Sequence, residues 1–280
     1  MDVSSNARVE NPMIPGLSIS IVTCGIDESL LTTVLDNVQQ SVTQARQQQV
    51  LDEVQLHIID NGHEEALLRK IVGSLDLAVV VTTTINNTNI GFGRAHNMAI
   101  NASIAEYHLI LNPDAIPDVI ALTQGIRYLT ANPDVELVAP AVLTPSGEQH
   151  HLCRRYPSLF NLFLRGFMPR SITTMFNNRL AHYEYRELSP EEPSGKITLA
   201  SGCFMLCRTS ALQRIHGFSE KYFLYFEDYD LSLRLGEIAY LPSMKIVHHG
   251  GGASHKGILH IFYFCRSAVT FYRTHGWLVV

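Results

Sequence analysis

The chain predicts an α/β fold, built from βαβ units around a largely parallel sheet. Short β-branched, apolar runs alternate with amphipathic helical stretches through the first half. These runs end in polar residues, Asp60-Asn61 and Asn112-Pro113-Asp114, and open sheets of this kind bind ligands at the carboxyl ends of their strands. Beyond Pro145 the rhythm gives way to a basic, aromatic-rich stretch without strand period. The organisation is therefore an α/β half over 15–145 and a more irregular half over 146–280.

The first strand spans 17–23, alternates in burial character and stops at Cys24-Gly25. Leu31, Val34, Leu35, Val38 and Val42 recur at three- and four-residue steps, which makes 28–49 a helix. A strand over 54–60 closes at Asn61-Gly62, a turn signal. A helix over 64–74 and a strand over 77–83 follow. Ile90-Gly91-Phe92-Gly93 opens a helix over 94–103, the strand 107–111 runs into Asn112-Pro113-Asp114, and a helix spans 117–129. In the second half, 196–207 reads as a strand and 209–215 as a short helix. Aromatic residues crowd 218–229 before a helix on which Leu231 and Leu235 share a face.

Composition narrows the function classes. With 280 residues, 46% of them hydrophobic and 17% charged, the chain can bury a substantial core and is poor in surface charge. A net charge of -5 argues against nucleic acid as a partner. Charge is uneven, however: Arg154, Arg155, Arg165, Arg170, Arg179 and Arg186 share their stretch with a single acid, Glu184. The five cysteines are irregularly spaced without a C-x-x-C pair, which suits free thiols in a reducing, cytoplasmic setting. The polar start over 1–11 lacks a signal-peptide pattern. No run approaches the roughly 20 apolar residues that span a bilayer. The longest candidate, 258–280, is interrupted by His260, Arg266, Arg273, Thr274 and His275, so the expectation is a soluble chain or one that lies on a membrane.

Four constellations bear on chemistry. A carboxylate presented after an apolar strand, Asp114, can hold a divalent cation that bridges phosphate oxygens, and Pro113 stiffens the turn. The alternative is an Asp that caps the following helix. Glu227, Asp228 and Asp230 crowd a helix start, where the helix dipole favours acids. Asp228, bracketed by Phe226 and Tyr229, also suits a general base. His248 precedes His249-Gly250-Gly251-Gly252, where small neighbours let an imidazole reach a metal or phosphate; simple packing is the alternative. Lys256 is either a phosphate contact or a surface lysine. Finally, Asn89 to Asn97 looks like a Gly-rich phosphate loop at a helix start. His96 stands where a dinucleotide fingerprint needs glycine, so that motif fails.

Taken in order, these and further motifs resemble the family 2 glycosyltransferases. The motifs are Ile21-Val22-Thr23, Ile59-Asp60-Asn61-Gly62, 89–97, Leu111-Asn112-Pro113-Asp114, Ser201-Gly202-Cys203-Phe204-Met205, Gly217-Phe218, 223–231 and 248–251. The likeness covers about 17–277 and is greatest to bacterial rhamnosyltransferase-like members that build cell-surface polysaccharides. The resemblance implies a GT-A-type nucleotide-binding sheet with helices on both faces. The nucleotide sugar would bind in 15–145, and 146–280 would be the acceptor-binding and catalytic half of the same domain. It further implies an inverting transfer with Asp228 as base and Mg²⁺ or Mn²⁺ on Asp114 beside His248. Thr23, Asp60 and Asn61 would meet the nucleoside, and Asn89, Gly91, Phe92 and Asn97 would line the donor pocket. Asn112 stands where the family has the first acid of its D-x-D motif. Arg154, Arg155, Glu227 and Lys256 would contact acceptor or phosphate.

The implied donor is dTDP-rhamnose or a UDP-sugar, and the implied acceptor a lipid-linked saccharide. The apolar, aromatic stretch 159–168 would either rest on an anionic membrane face and reach the acceptor there, or pack as a helix over the acceptor half with its arginines solvated. The C-terminal aromatic stretch would make a homodimer contact. The chain departs from the family at Thr23-Cys24-Gly25, where an aromatic residue and Asn are frequent. It also has one carboxylate for the metal, and a short segment, 234–241, before the histidine strand. A sugar nucleotidyltransferase would need a basic, Gly-rich loop that Cys24-Gly25-Ile26-Asp27 does not supply. A non-catalytic nucleotide-sugar or carbohydrate-binding module is the other alternative.

Overall fold

A computed structural model of the chain describes residues 14–75, 78–250 and 257–280. The strands are β1 (Leu17–Thr23), β2 (Val54–Asp60), β3 (Val80–Ile85), β4 (Tyr107–Leu111), β5 (Ala115–Pro117), β6 (Val135–Leu143), β7 (Phe204–Arg208) and β8 (Glu237–His248). The helices are α1 (Glu28–Gln47), α2 (Glu65–Ser74), α3 (Phe92–Ala102), α4 (Ala121–Ala131), α5 (Leu159–Phe167), α6 (Arg170–Met175), α7 (Asn177–Tyr183), α8 (Thr209–Arg214), α9 (Glu227–Arg234) and α10 (Ile258–His275).

All eight strands form one sheet in the order β3-β2-β1-β4-β7-β6-β8-β5. The β-branched run of β1 is buried throughout and pairs in parallel with β2 and β4, as the sequence rhythm predicts. The second half departs from a largely parallel sheet. β7 runs antiparallel to both β4 and β6, and β5 runs antiparallel to β8. Strand β6 has no counterpart in the sequence expectations, because Pro140 interrupts its pattern; the register shifts between Pro140 and Ala141, which accommodates the proline. The helix expected over 117–129 splits into β5 and α4, with the Asp118 carboxylate accepting the Ile120 N–H at 3.0 Å ahead of α4. The strand expected over 196–207 shrinks to β7, preceded by an isolated bridge between Arg154 and Leu199. β3 starts at Val80 rather than 77, a position outside the described residues.

Helices cover both faces of the sheet. Leu31, Val34 and Leu35 of α1, Leu68 of α2 and Leu122 and Ile126 of α4 pack with Ile19, Ile21 and Leu109 on one face. Ile100 of α3, Leu212 of α8 and Leu231 of α9 pack with Ile110, Met205 and Cys207 on the other. The C-terminal α10 closes a separate aromatic cluster in which Phe271 and Tyr272 meet Tyr222 and Phe226. All five cysteines are free. Among the described residues, no helix is long and apolar enough to cross a membrane.

Candidate active site

The carboxyl ends of β1 and β2 are stitched by polar side chains. Asp60 is fully buried; its Oδ1 accepts from Thr23 Oγ1 at 3.1 Å and the Gly62 N–H at 2.7 Å, and its Oδ2 accepts from the Glu64 N–H at 2.6 Å. Its carboxylate therefore shapes the loop after β2. Asn61 donates through Nδ2 to the Gly91 carbonyl at 3.2 Å and accepts from Asn86 Nδ2 at 2.8 Å. Asn89 accepts the Gly91 N–H at 2.9 Å and donates to Cys24 Sγ at 3.3 Å. Gly91 has φ +92°, and a Cβ there would sit 2.5 Å from the Phe223 carbonyl oxygen, so only glycine fits this approach. The neighbouring Phe92 N–H donates to that same carbonyl at 3.2 Å.

Asn97 faces a different partner from the one its motif suggests. Its Nδ2 donates to the Phe218 carbonyl and its Oδ1 accepts the Phe218 N–H, both at 2.8 Å. The amide is thus spent on the Gly217-Phe218 turn, which explains why both motifs occur together.

Register brings the two metal-type residues into contact. Ala115 pairs with His248 across β5 and β8, which sets Asp114 Oδ1 3.1 Å from His248 Nε2. Burial alone would raise the Asp114 pKa, but the hydrogen bond and charge of His248 outweigh it, and the carboxyl is held below its ordinary value. Among the described residues, no group of three or more His, Cys, Asp or Glu forms a ready-made metal cage. One carboxylate and one imidazole still fit a hard divalent cation whose remaining positions are filled by phosphate oxygens and water. Lys256, Gly251 and Gly252 lie outside the described residues.

The acidic pair sits on a bent segment. Tyr225 and Phe226 adopt φ +70° and +65°, a left-handed conformation that bulky residues rarely take. Packing of Phe226 against Tyr229, Phe264 and Phe271 holds the bend. It turns α9 so that Asp228 Oδ2 accepts the Gly202 N–H at 3.0 Å. One residue on, the Cys203 carbonyl accepts the Asn112 N–H at 2.9 Å. The Ser201-Gly202-Cys203 turn therefore ties the Asn112–Asp114 loop to Asp228. The motif itself was visible in the sequence, but this linking role was not. Gly202 is closely packed: a Cβ there would lie 3.3 Å from both Asp228 Cβ and the Phe92 ring.

Burial raises the pKa of both Glu227 and Asp228. Glu227 is pushed up to about 8, by desolvation and then by the neighbouring Asp228 charge, and its Oε2 is buried without a partner. Asp228 is raised by desolvation, against the pull of the Gly202 and Tyr229 N–H groups. Those donors favour the ionised form on Asp228 and leave the proton on Glu227.

Of the two arginines singled out, Arg155 stacks on the Tyr185 ring at 3.9 Å and pairs with Glu187. Arg154 is 3% exposed and lies beside Glu184 at 3.7 Å.

The fold is shared with known proteins. No protein-family model matches the chain. An N-acetylglucosaminyl-diphospho-decaprenol L-rhamnosyltransferase of Mycobacterium tuberculosis is 29% identical over 176 residues, covering 60% of this chain and 54% of that protein. The rhamnosyltransferase WbbL of Escherichia coli strain K12 is 28% identical over 174 residues, covering 57% and 61%. The mannosyltransferase PcManGT from Pyrobaculum calidifontis, solved with GDP-Man and Mn²⁺, superposes with a TM-score of 0.56 at 14% identity, over 95% of this chain and 77% of that one. The chain has a GT-A fold and is similar in sequence to these rhamnosyltransferases. It spans little more than half the length of the curated relatives it matches. The GT-A reading agrees with the eight-stranded mixed sheet.

Proposed function

We propose that the chain transfers a sugar from a nucleotide diphosphate donor to a hydroxyl of a saccharide acceptor, with inversion at the anomeric carbon. The link from Asp228 through Gly202 and Cys203 to the Asn112–Asp114 loop carries this reading, because it ties the segment that holds the basic carboxylate to the loop that bears Asp114. Asp228 takes the proton of the acceptor hydroxyl, and its partial desolvation makes it a stronger base than an exposed Asp. Glu227 keeps its own proton and so leaves Asp228 as the single charge of the pair. No enzymic nucleophile is needed, which agrees with inversion.

Asp114 and His248 would hold Mg²⁺ or Mn²⁺ together with the donor's phosphate oxygens. When bound, the ion offsets charge developing on the leaving diphosphate. The loops of Thr23, Asp60, Asn61, Asn89, Gly91 and Phe92 shape the nucleoside and sugar pocket, with Asp60 and Asn61 acting through the backbone they hold. The relatives' names support rhamnose as the sugar, and the mycobacterial name supports a saccharide carried on a polyprenyl diphosphate as the acceptor; dTDP-rhamnose is the donor we propose. Helix α5, with Phe163 exposed, would meet the membrane that holds such an acceptor.

The test is thermal stability against a panel of nucleotide sugars, each with and without Mn²⁺. A ligand that binds only the folded state adds about 2.7 kcal/mol at a hundred times its dissociation constant. A Mn²⁺-dependent shift with dTDP-rhamnose is expected. A flat panel would contradict the reading. Donor binding with neither transfer nor donor hydrolysis would establish a binding module instead.

A further inference from the structure

We propose that the guanidinium cluster around Glu184 is a subsite for the diphosphate of a polyprenyl-diphosphate acceptor; this rests on the transferase reading and names its acceptor chemistry. Three guanidiniums converge on one carboxylate: Arg186 at 2.6 Å, Arg165 at 3.2 Å and Arg154 at 3.7 Å from Glu184 oxygens. Two positive charges are left over in a region where Arg154 is buried. Arg154 donates to the carbonyls of His151 and Cys153, which do not neutralise it, and its Nε is buried without any partner. Crowded, desolvated like charges are unfavourable until an anion joins them. Guanidiniums recognise phosphate through paired N–H donors, which makes a diphosphate the matching anion.

The cluster lies on the acceptor side of the base. The guanidiniums of Arg154 and Arg165 stand 5.8 and 5.9 Å from the Tyr183 ring centroid, and the Tyr183 hydroxyl is 3.5 Å from that of Tyr229, the residue after Asp228. Arg154 is close enough for its charge to oppose the burial that raises the Asp228 pKa. Arg165 is partly exposed on α5, whereas Arg154 is buried. Helices α5 and α6 also expose Phe163, Ile172 and Met175, the last at 81%. Cationic and apolar surface together match an amphiphile with an anionic head and a hydrocarbon chain.

Calorimetry on the whole chain tests this with three probes: farnesyl diphosphate, farnesol, and dTDP with Mn²⁺. The variants are Arg165→Gln, Arg165→Lys and Arg179→Gln; Arg179 lies outside the cluster, donating to Asn161 and Ser158. Wild type is expected to bind farnesyl diphosphate and not farnesol at equal concentration. Arg165→Gln should weaken farnesyl diphosphate at least tenfold and Arg165→Lys less. Arg179→Gln should change it less than twofold, and dTDP affinity should hold throughout. Equal losses in Arg165→Gln and Arg179→Gln, or none in Arg165→Gln, would overturn the proposal. So would a parallel loss of dTDP binding in Arg165→Gln, which would assign the cluster to the donor's diphosphate. Failure of wild type to bind dTDP while farnesyl diphosphate binds would instead strike the transferase reading on which the acceptor assignment rests.

Discussion

Asn97 on α3 and Arg154 ahead of α5 are both buried polar residues, and they are satisfied to different degrees. Asn97 spends its whole amide on the Phe218 backbone, 2.8 Å in each direction. Arg154 keeps an unpartnered Nε and shares one carboxylate with two other guanidiniums. The same contrast holds for their neighbours. Asn61 is engaged at both ends of its amide, donating to the Gly91 carbonyl and accepting from Asn86, whereas Glu227 holds an orphaned Oε2 beside a second carboxylate. Saturated neutral hydrogen bonds give a loop one shape and no further demand. Surplus buried charge leaves a demand that a bound ligand or a transferred proton can meet.

The largest stability effect should come from breaking the saturated side. Asn97→Ala strands the Phe218 N–H and carbonyl, and should cost about 2–4 kcal/mol in denaturant unfolding. Gly91→Ala should cost about 2 kcal/mol, because the residue sits at positive φ with no space for a Cβ, and should also weaken donor binding. An unchanged donor affinity in that variant would separate the Gly91 loop from the pocket. On the charged side the signature is pH dependence. Because the folded Glu227 pKa stands near 8, above its ordinary 4.5, the native state holds this proton longer than the unfolded chain. Its contribution therefore favours folding less as pH rises from 4.5 towards 8, and Glu227→Gln should flatten that slope by about 1 kcal/mol per pH unit. The smallest effect belongs to solvated donor-half ions: Lys70→Ala breaks an exposed pair with Glu28 and should change stability by about 0.5 kcal/mol or less.

The run from β1 to β4 was legible because its information is local. Strands β1, β2 and β4 begin and end at the residues their apolar runs mark, and α1 follows its heptad-like spacing to within two residues. The Asn97–Phe218 clamp joins residues 121 apart, and no periodicity reports such a pairing. Strand β6 was hidden by Pro140, and the antiparallel return through β7 depends on partners distant in sequence. Asp114 and His248 stood out singly, but only the β5–β8 register shows that they touch. The arginine-rich stretch with its lone Glu184 was conspicuous, while the convergence of three guanidiniums on that one acid required the fold of α5 to α7.

The account stands most directly on Asp228. Transfer from dTDP-rhamnose to a polyprenyl-diphosphate-linked saccharide should be measured for wild type and Asp228→Asn, alongside donor affinity. The account predicts a rate loss on the order of a hundredfold or more with donor affinity kept, as expected for removal of a general base. Near-normal transfer by Asp228→Asn would contradict it.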